Sequence, residues 1–275
     1  MSETRLCKKI ILDNLNEIPF KDDLVQPHPR TLNLNYDAFI TSIRTEENAK
    51  IDIATVVGGT HPRYVGNTWF ECLNNLRTQA TIDNLNCNEI RPSILYYTDI
   101  EYRNNSCRDP WTIDVINGIS FITQGHHRSI ISKFLSSVDL IQKEQFGLDS
   151  VNYIEHNEKY FRHYCKLEKF INSLPIAILE EISVKVKRRL LEKNENIEKF
   201  ETIYSLFVGY YDDNIDASNN QQVFAHYQSF NEFRTNLFKQ IKYYKKTKKI
   251  QLIIKSIQSY LHDNFRRKKI ESGVM

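Results

Sequence analysis

The sequence lacks a long hydrophobic run, and no repeat of fixed period is evident along its 275 residues. No window reaches about 18 consecutive apolar residues, the least that suggests a membrane-spanning helix. The N-terminal segment MSETRLCKKIILDNLNE places acids and amides around a very short apolar run, so we expect no secretory signal. A membrane partner is therefore not expected, and neither is a repeat architecture.

Paired cysteines are also absent. The five cysteines are Cys7, Cys72, Cys87, Cys107 and Cys165, which lie far apart and form no C-x-x-C pair. An odd, scattered set argues against a disulfide framework and against a zinc site, and it favours a reducing compartment. We therefore expect a cytoplasmic protein whose thiols are structural or lie at the surface.

Charge is distributed unevenly, although the net charge is only +3. Residues 231–275 contain 12 Lys and Arg against 3 Asp and Glu, so the tail is strongly basic and the rest of the chain is acidic. A content of 41% apolar and 12% aromatic residues is typical of a folded protein. Non-specific binding of anions is therefore expected at the tail.

Residues 50–100 contain two predicted strands and one predicted helix. KIDIATVV is short and β-branched and ends at a Gly-Gly pair, and IRPSILYYTDI has Pro92 at its beginning, where no ladder donor is needed. Between them, TWFECLNNLRTQATIDNL has a helical period. Thr68 is the expected N-cap of this helix, and Glu71 three residues later completes a capping box.

Residues 112–140 contain a predicted β-hairpin followed by a helix. Asn117-Gly118 lies between two alternating runs, and both residues tolerate the positive φ of a type I′ turn. Thr112–Ile116 and Ile119–Thr123 are therefore expected to pair as antiparallel strands. The segment HRSIISKFLSSVDLI then has the apolar stripe of a helix.

Beyond Gly147 the apolar periodicity is almost entirely helical. EKYFRHYCKLEKFINSL, PIAILEEISVKVKRRLLEK and ETIYSLFVGYY are predicted helices, and the tail is predicted to form one or two basic amphipathic helices. The expected fold class is α+β, with a small mixed-sheet domain followed by a mainly α-helical C-terminal region. The expected parts are an N-terminal extension packed on the core (1–49), a nucleotide-binding domain (50–145) and a helical domain with a basic tail (146–275).

The segment QGHHR, at the junction of the hairpin and its helix, predicts an anion site. Gly125 lets the backbone approach a ligand closely, and the amides of residues 126–129 belong to the first turn of a helix. These amides and the positive end of the helix dipole suit a phosphate. Arg128 adds a permanent charge, and His126 and His127 add donors whose charge depends on pH.

The order of these elements resembles the ParB/sulfiredoxin superfamily over roughly residues 50–140. In sulfiredoxins a Gly-Cys-His-Arg motif follows the hairpin and opens a helix over nucleotide phosphates, and Gly125, His127 and Arg128 match that motif. The upstream turn THPRY resembles the Pro-x-Arg segment of the superfamily. The resemblance implies that Arg63 is a second phosphate contact.

Several residues differ from the motifs of the superfamily, and these differences argue against two of its known functions. His126 stands where sulfiredoxins have their catalytic cysteine, which argues against peroxiredoxin repair by that thiol. ParB proteins have Gly-Glu-Arg-Arg here, whereas this chain has His126 for the glutamate and Ser129 after Arg128. No helix-turn-helix of the ParB type follows residue 150, so plasmid centromere binding is not expected.

The resemblance implies a nucleotide-phosphate-binding protein, acting as an NTPase or nuclease in a nucleic-acid context. Its expected ligand is a nucleoside triphosphate of unknown base, with magnesium as companion ion. The residues expected to act in catalysis are His127, Arg128 and Glu71. Those expected to bind the phosphates are Gly125, His126, Arg128, Ser129 and Arg63.

Simpler roles compete for several of these side chains. Glu71 also fits a capping box alone, and His61 fits a turn residue beside a proline. Successive helical side chains diverge by about 100°, so we expect His127 rather than His126 to point into the pocket. A metal site of His61, His126 and His127 would lack an i, i+4 pair or a carboxylate, and no metal site is predicted. Ser129 does not lie on a G-x-S-x-G elbow, so a serine hydrolase is not expected.

The basic tail supports a second class of function. KYYKKTKK and FRRKK mix cations with aromatic rings, which neutralise phosphates and stack on bases. The residues expected to bind DNA or RNA are Lys245, Lys246, Lys248, Lys249, Arg266 and Arg267. The alternative to an enzyme is a non-catalytic DNA-binding, regulatory or assembly subunit, with a protein partner or a second copy held by the C-terminal helices.

Overall fold

The computed structural model describes residues 6–76, 90–104, 109–142, 146–175, 182–209 and 222–247. The helices are α1 (Leu6–Asp13), α2 (Pro29–Leu32), α3 (Trp69–Asn74), α4 (Ile90–Thr98), α5 (Ile100–Asn104), α6 (His126–Ser137), α7 (Glu158–Asn172) and α8 (230–247). The strands are β1 (Gln26–Pro27), β2 (Ile40–Glu47), β3 (Val56–Gly59), β4 (Thr112–Ile116), β5 (Ile119–Gln124), β6 (Ser150–His156), β7 (Ile182–Lys193), β8 (Ile197–Gly209) and β9 (Gln222–Tyr227).

These strands form one nine-stranded mixed sheet in the order β1-β3-β5-β4-β6-β2-β8-β7, with β9 paired to β8. The pairs β1/β3, β3/β5 and β4/β6 are parallel, whereas β4/β5, β2/β6, β2/β8 and β8/β9 are antiparallel. The predicted fold class is therefore wrong. The sheet is large, and four of its strands, β6 to β9, lie in the C-terminal region that was expected to be mainly helical.

The error at β7 and β8 has a clear physical source. ISVKVKRR alternates apolar and charged residues with a period of two, and the burial of β7 alternates in the same way over its first half. The longer windows around this segment contain enough leucine and isoleucine to mimic a helical stripe. Strand β8 includes the segment ETIYSLFVG, where a run of apolar and β-branched residues supports a strand as well as a helix.

Helix α4 is the opposite case, because IRPSILYYT was predicted to be a strand and is helical. Pro92 lies in the first turn of this helix, where its missing N–H costs nothing. The strand predicted over KIDIATVV is formed only at its end. Ile53–Thr55 form a 3₁₀ turn, and β3 begins at Val56.

The hairpin, the start of the helix at Thr68 and the helix after the hairpin are confirmed. The helix predicted over residues 68–85 is shorter than expected, because it ends at Asn74, and residues 77–85 lie outside the described residues. Strands β4 and β5 pair antiparallel around Asn117 and Gly118, whose φ angles of 49° and 87° are those of a type I′ turn. Thr68 and Glu71 form the predicted capping box at the start of α3. Helix α6 begins at His126, immediately after Gly125.

The chain forms two compact units, of which the first comprises Met1–Glu158 and Arg188–Glu201. The second comprises Lys159–Lys187 and Thr202–Met275. In the first unit, the apolar face of α6 is buried through Ile130, Ile131 and Phe134. Because this face is fixed in the core, the N-terminal turn of α6 is held in one position.

A buried polar network in the first unit was not predicted. The fully buried Asp114 of β4 accepts hydrogen bonds from His28 Nε2 at 3.2 Å, Asn152 Nδ2 at 2.9 Å and Arg30 Nη1 at 3.3 Å. The other ring nitrogen of His28 accepts from the Arg30 amide. Since both nitrogens of His28 are occupied and its side chain is inaccessible, this network is structural.

Candidate functional site

A cleft of about 610 Å³ opens where β5 ends and α6 begins, entirely within the first unit. The lining residues are Thr60, His61, Pro62, Tyr64, Tyr96, Asp109, Pro110, Thr123, Gln124, Gly125, His126, His127 and Arg128. This volume lies within the range of roughly 300–1,000 Å³ that small-molecule sites occupy.

Gly125 is required at the base of the cleft for two reasons. Its φ of +75° is strained for any other residue, and a Cβ here would lie 2.7 Å from Trp111 Cδ1. As the N-cap of α6 it offers no side chain to the first amides of the helix. Helix α6 therefore begins without a capping side chain, and the leading N–H groups of its first turn have no acceptor within the helix.

His127 and Tyr64 form a close polar pair in the cleft. The Tyr64 hydroxyl lies 2.5 Å from His127 Nε2, and the two rings meet edge to face. Burial lowers the pKa of His127, and electrostatic interactions with the basic residues Arg63, His61 and Arg128 lower it further. His127 is therefore neutral near pH 7 and available to accept a proton.

His126 holds the neighbouring loop in place. Its Nε2 accepts a hydrogen bond from the His61 amide at 3.2 Å, so the ring is neutral with the proton on Nδ1. Burial lowers the pKa of His126 to about 4, and His61 and His127 act in the same direction. Both adjacent histidines line the cleft, contrary to the expectation from their angular divergence, because the 60–64 loop folds over the first turn of α6.

His61 presents a donor to the cleft. Its Nδ1 accepts from the Arg63 amide at 3.2 Å, which places the proton of the neutral ring on Nε2. The ring is exposed and packs 5.0 Å from the Tyr64 ring and 5.4 Å from the His126 ring. His61 is therefore part of an aromatic cluster and not only a turn residue.

Arg128 is buried and fixes the segment before β4. Its Nη2 donates to the carbonyl oxygens of Asp109 and Pro110 at 2.8 and 2.9 Å, and its guanidinium lies over the Trp111 ring. Its Nη1 is buried and has no hydrogen-bond partner among the described residues. No carboxylate in the described part of the chain forms an ion pair with Arg128, so its positive charge adds to the potential of the cleft.

The other predicted site residues lie outside the cleft lining. Arg63 is half-buried, and its Nη2 donates to the Asn75 carbonyl. Glu71 accepts from the Thr68 amide and hydroxyl within the capping box. Ser129 is buried and accepts from Trp111 Nε1 at 2.7 Å. Arg63 still influences the cleft, since it lowers the pKa of His127.

Sequence reasoning missed Tyr64 and Tyr96 as cleft residues. Tyr64 is the last residue of the turn THPRY. An aromatic residue in a turn that was already expected to lie near the phosphate was the signal that could have identified it. Tyr96 was missed because its segment was assigned to a strand. Of the predicted tail residues, Lys245 and Lys246 are exposed on α8, whereas Lys248, Lys249, Arg266 and Arg267 lie outside the described residues.

The described residues contain no group of three or more His, Cys, Asp or Glu side chains arranged to hold a metal ion. No helix in the described ranges is long and apolar enough to cross a membrane. Comparisons with protein families, curated proteins and solved structures found no match to this chain.

Proposed function

We propose that this protein binds the phosphate groups of a nucleotide in the cleft at the N-terminus of α6. The observation that carries the proposal is that the uncapped N-terminal turn of α6 lies beside the buried cation Arg128 and three histidines of the cleft lining. The side chains that lower the pKa of His127 by electrostatic interaction are Arg63, His61 and Arg128, all of them basic. A phosphate supplies the negative charge that balances them.

The shape and lining of the cleft suit the rest of a nucleotide. The exposed ring of His61 offers a flat surface for a base or ribose, and the buried rings of Tyr64 and Tyr96 form part of the cleft wall. Gln124 and Thr60 add groups that hydrogen bond without charge. The resemblance of residues 50–140 to ParB/sulfiredoxin proteins supports the same ligand class, with magnesium as the companion of a triphosphate.

Phosphoester hydrolysis is the reaction that the pair His127–Tyr64 supports best. The neutral His127 accepts a proton from water or from Tyr64, and a protonated His127 donates to the leaving oxygen. Arg128 in the cleft lining stabilises the charge that accumulates on the transferred phosphoryl group, and Arg63 outside the lining contributes through its electrostatic field. We therefore propose an NTPase or nuclease that acts in a nucleic-acid context in a reducing, cytoplasmic setting.

A binding protein without turnover is the second candidate, and the position of Glu71 favours it. Its carboxylate serves the capping box of α3, so it does not orient water at the cleft. Asp109 is the remaining carboxylate among the lining residues, and it lies at the exposed rim. If the protein binds without turnover, the bound nucleotide regulates its activity as a DNA-binding or assembly subunit.

Thermal shifts with ATP, CTP, GTP and ADP, each with magnesium, test the binding step. At a ligand concentration of about 100 Kd, binding adds roughly 2.7 kcal/mol to the free energy of unfolding. We expect a rise in Tm for the wild type, a smaller rise for Arg63→Gln, and a full rise for the control Tyr96→Phe. Flat profiles with every nucleotide would refute phosphate binding.

Hydrolysis of the bound nucleotide, and nicking of plasmid DNA, separate the two candidates. For an enzyme we expect turnover by the wild type that falls at least a hundredfold in His127→Gln, since general acid–base catalysis contributes about 10²–10⁴. Nucleotide binding with no turnover under any metal would support the regulator.

A further inference from the structure

We infer that the second unit carries a binding surface for single-stranded nucleic acid, formed by α7 and α8 and centred on Phe170 and Phe238. We call it the basic aromatic face and define it by these two rings with Lys166, Lys169, Arg234 and Lys242. It goes beyond the nucleotide cleft, since every one of its residues lies in the second unit.

The two phenylalanines form an exposed pair between the helices. Their ring centroids are 5.6 Å apart, and their side chains are 39% and 44% exposed. A phenylalanine on a water-soluble helix face is normally buried, and leaving two together in water costs free energy. Such a pair is a typical mark of a binding surface.

The helices run in the same direction beside one another. Tyr160 and His163 of α7 lie against Phe230 at the start of α8, and Phe170 lies against Phe238 further along. The buried sides of both helices contain residues such as Leu167, Ile171 and Leu237. The opposite sides of both helices are therefore presented to solvent together.

Cations surround the rings at helical spacing. Lys166 precedes Phe170 by one turn, and Arg234 and Lys242 lie one turn before and after Phe238. Lys169 is adjacent to Phe170, and all four cations are exposed. None of them forms an ion pair in the described part of the chain. The acids of the two helices are Glu232, which is exposed, and Glu158 and Glu168, which are half-buried, so the exposed cations outnumber the acids.

This combination fits single-stranded nucleic acid better than a membrane or a protein. In the described ranges of the second unit, the exposed large apolar side chains are all aromatic: Tyr160, Phe170, Phe238 and Tyr243. Rings stack on unpaired bases, whereas a lipid surface is usually entered by aliphatic side chains as well. In a duplex the faces of the bases are stacked inside the helix. A duplex would therefore contact the cations through its phosphates and would not stack on the two rings.

The basic aromatic face lies partly outside the segment in which the sequence predicted nucleic-acid binding. The basic tail was expected to act through Lys245, Lys246 and residues beyond them. The structure adds α7, whose exposed side carries Lys159, Lys166 and Lys169 beside the aromatic pair. Helix α7 was predicted from its apolar period, and its basic side was not singled out.

Binding of the full-length chain to labelled oligothymidylate, followed by fluorescence anisotropy over a range of salt, tests the inference. We expect the wild type to bind the single strand more tightly than a duplex of equal length. Phe170→Leu and Phe238→Leu are each expected to weaken binding about tenfold without changing the salt dependence, because stacking on a base is lost while apolar area remains.

Lys166→Gln combined with Lys169→Gln is expected to reduce the slope of log K against log salt by about 1.4, since each lost contact to a single strand removes about 0.7. The matched control is Lys9→Gln with Lys50→Gln, two exposed lysines of the first unit, and we expect it to keep the slope. Phe170→Leu and Phe238→Leu lie in the second unit and are expected to keep the wild-type thermal shift with nucleotide, so the two proposals fail separately.

Three results would overturn the inference. They are equal affinity for duplex and single strand, full affinity in both leucine variants, and binding to phosphatidylserine vesicles without binding to oligothymidylate. Unchanged thermal unfolding of each variant shows that a loss of affinity reflects the surface and not the fold.

Discussion

At the scale of single residues, the two adjacent histidines of α6 have different tasks. His126 uses its Nε2 to hold the His61 amide, and this contact fixes the loop that carries Tyr64. His127 lies against the Tyr64 hydroxyl and lines the cleft. The sequence predicted that these residue types meet an anion, but which histidine is structural depends on the path of a loop more than 60 residues away.

The first residue-scale prediction concerns acid stability. The pKa of His126 is about 4 in the folded chain and near 6.5 when unfolded, so the unfolded state takes up the proton first as pH falls. We expect His126 to cost up to about 3 kcal/mol of stability between pH 6.5 and pH 4. Urea unfolding of His126→Gln, which keeps an acceptor for the His61 amide, should show a flatter pH profile. Parallel profiles for the two proteins would disprove this role.

The second residue-scale prediction concerns anion affinity and His127. Its pKa is lowered in the free protein, and a bound dianion favours the protonated ring. Sulfate keeps its double charge between pH 4 and pH 8, so it isolates the protein's own titration. We expect sulfate affinity to rise by about tenfold as pH falls below about 6.5, and to rise less in His127→Gln. An equal rise in both proteins would assign the effect to another group.

At the scale of elements, local turn chemistry decided which predictions succeeded. The Asn117-Gly118 turn and the Thr68 capping box were predicted because a few adjacent residues determine them. Strands β7 and β8 and helix α4 were mistaken, because their periodicity is compatible with either structure and pairing across the sheet decided the outcome. The position of the cleft at the start of α6 was partly predictable, since it depends on the turn that ends β5.

The element-scale prediction compares two glycines with positive φ. Gly125→Ala places a Cβ against Trp111, whose indole is tied to Ser129, whereas nothing lies within 4 Å of a Cβ at Gly66. We expect Gly66→Ala to cost about 1 kcal/mol from backbone strain alone, and Gly125→Ala about 3 kcal/mol or more. Denaturant unfolding measures both. Equal losses would show that Trp111 moves aside and that the junction is less rigid than described.

At the scale of the whole molecule, the sequence did not reveal the size of the sheet. Strands β2 and β8 lie beside each other although more than 150 residues separate them in the chain, and no local pattern encodes that pairing. The buried Asp114 in the middle of β4 was also missed, because its role depends on residues that are distant in the chain. Asp114 accepts hydrogen bonds from residues at the start of α2 and from β6. The sequence of β4 alone shows only one charged residue among apolar ones.

The whole-molecule prediction is an increase in global stability at alkaline pH. Burial lowers the pKa of Lys133 to about 8, below its ordinary 10.5, although its Nζ donates to the carbonyls of Ala54 and Val56. Between pH 8 and pH 10 the unfolded chain holds this proton more tightly, so stability rises with pH by up to about 3 kcal/mol. Lys133→Met should remove that slope, and the exposed control Lys50→Met should keep it.

The most direct measurement is a crystal structure of the protein with a non-hydrolysable nucleoside triphosphate and magnesium. We predict a phosphate group within hydrogen-bond distance of the amides of residues 126–128, with His127 and Tyr64 beside it. A nucleotide bound elsewhere, or phosphates that avoid these amides while the base occupies the cleft, would contradict the proposed function.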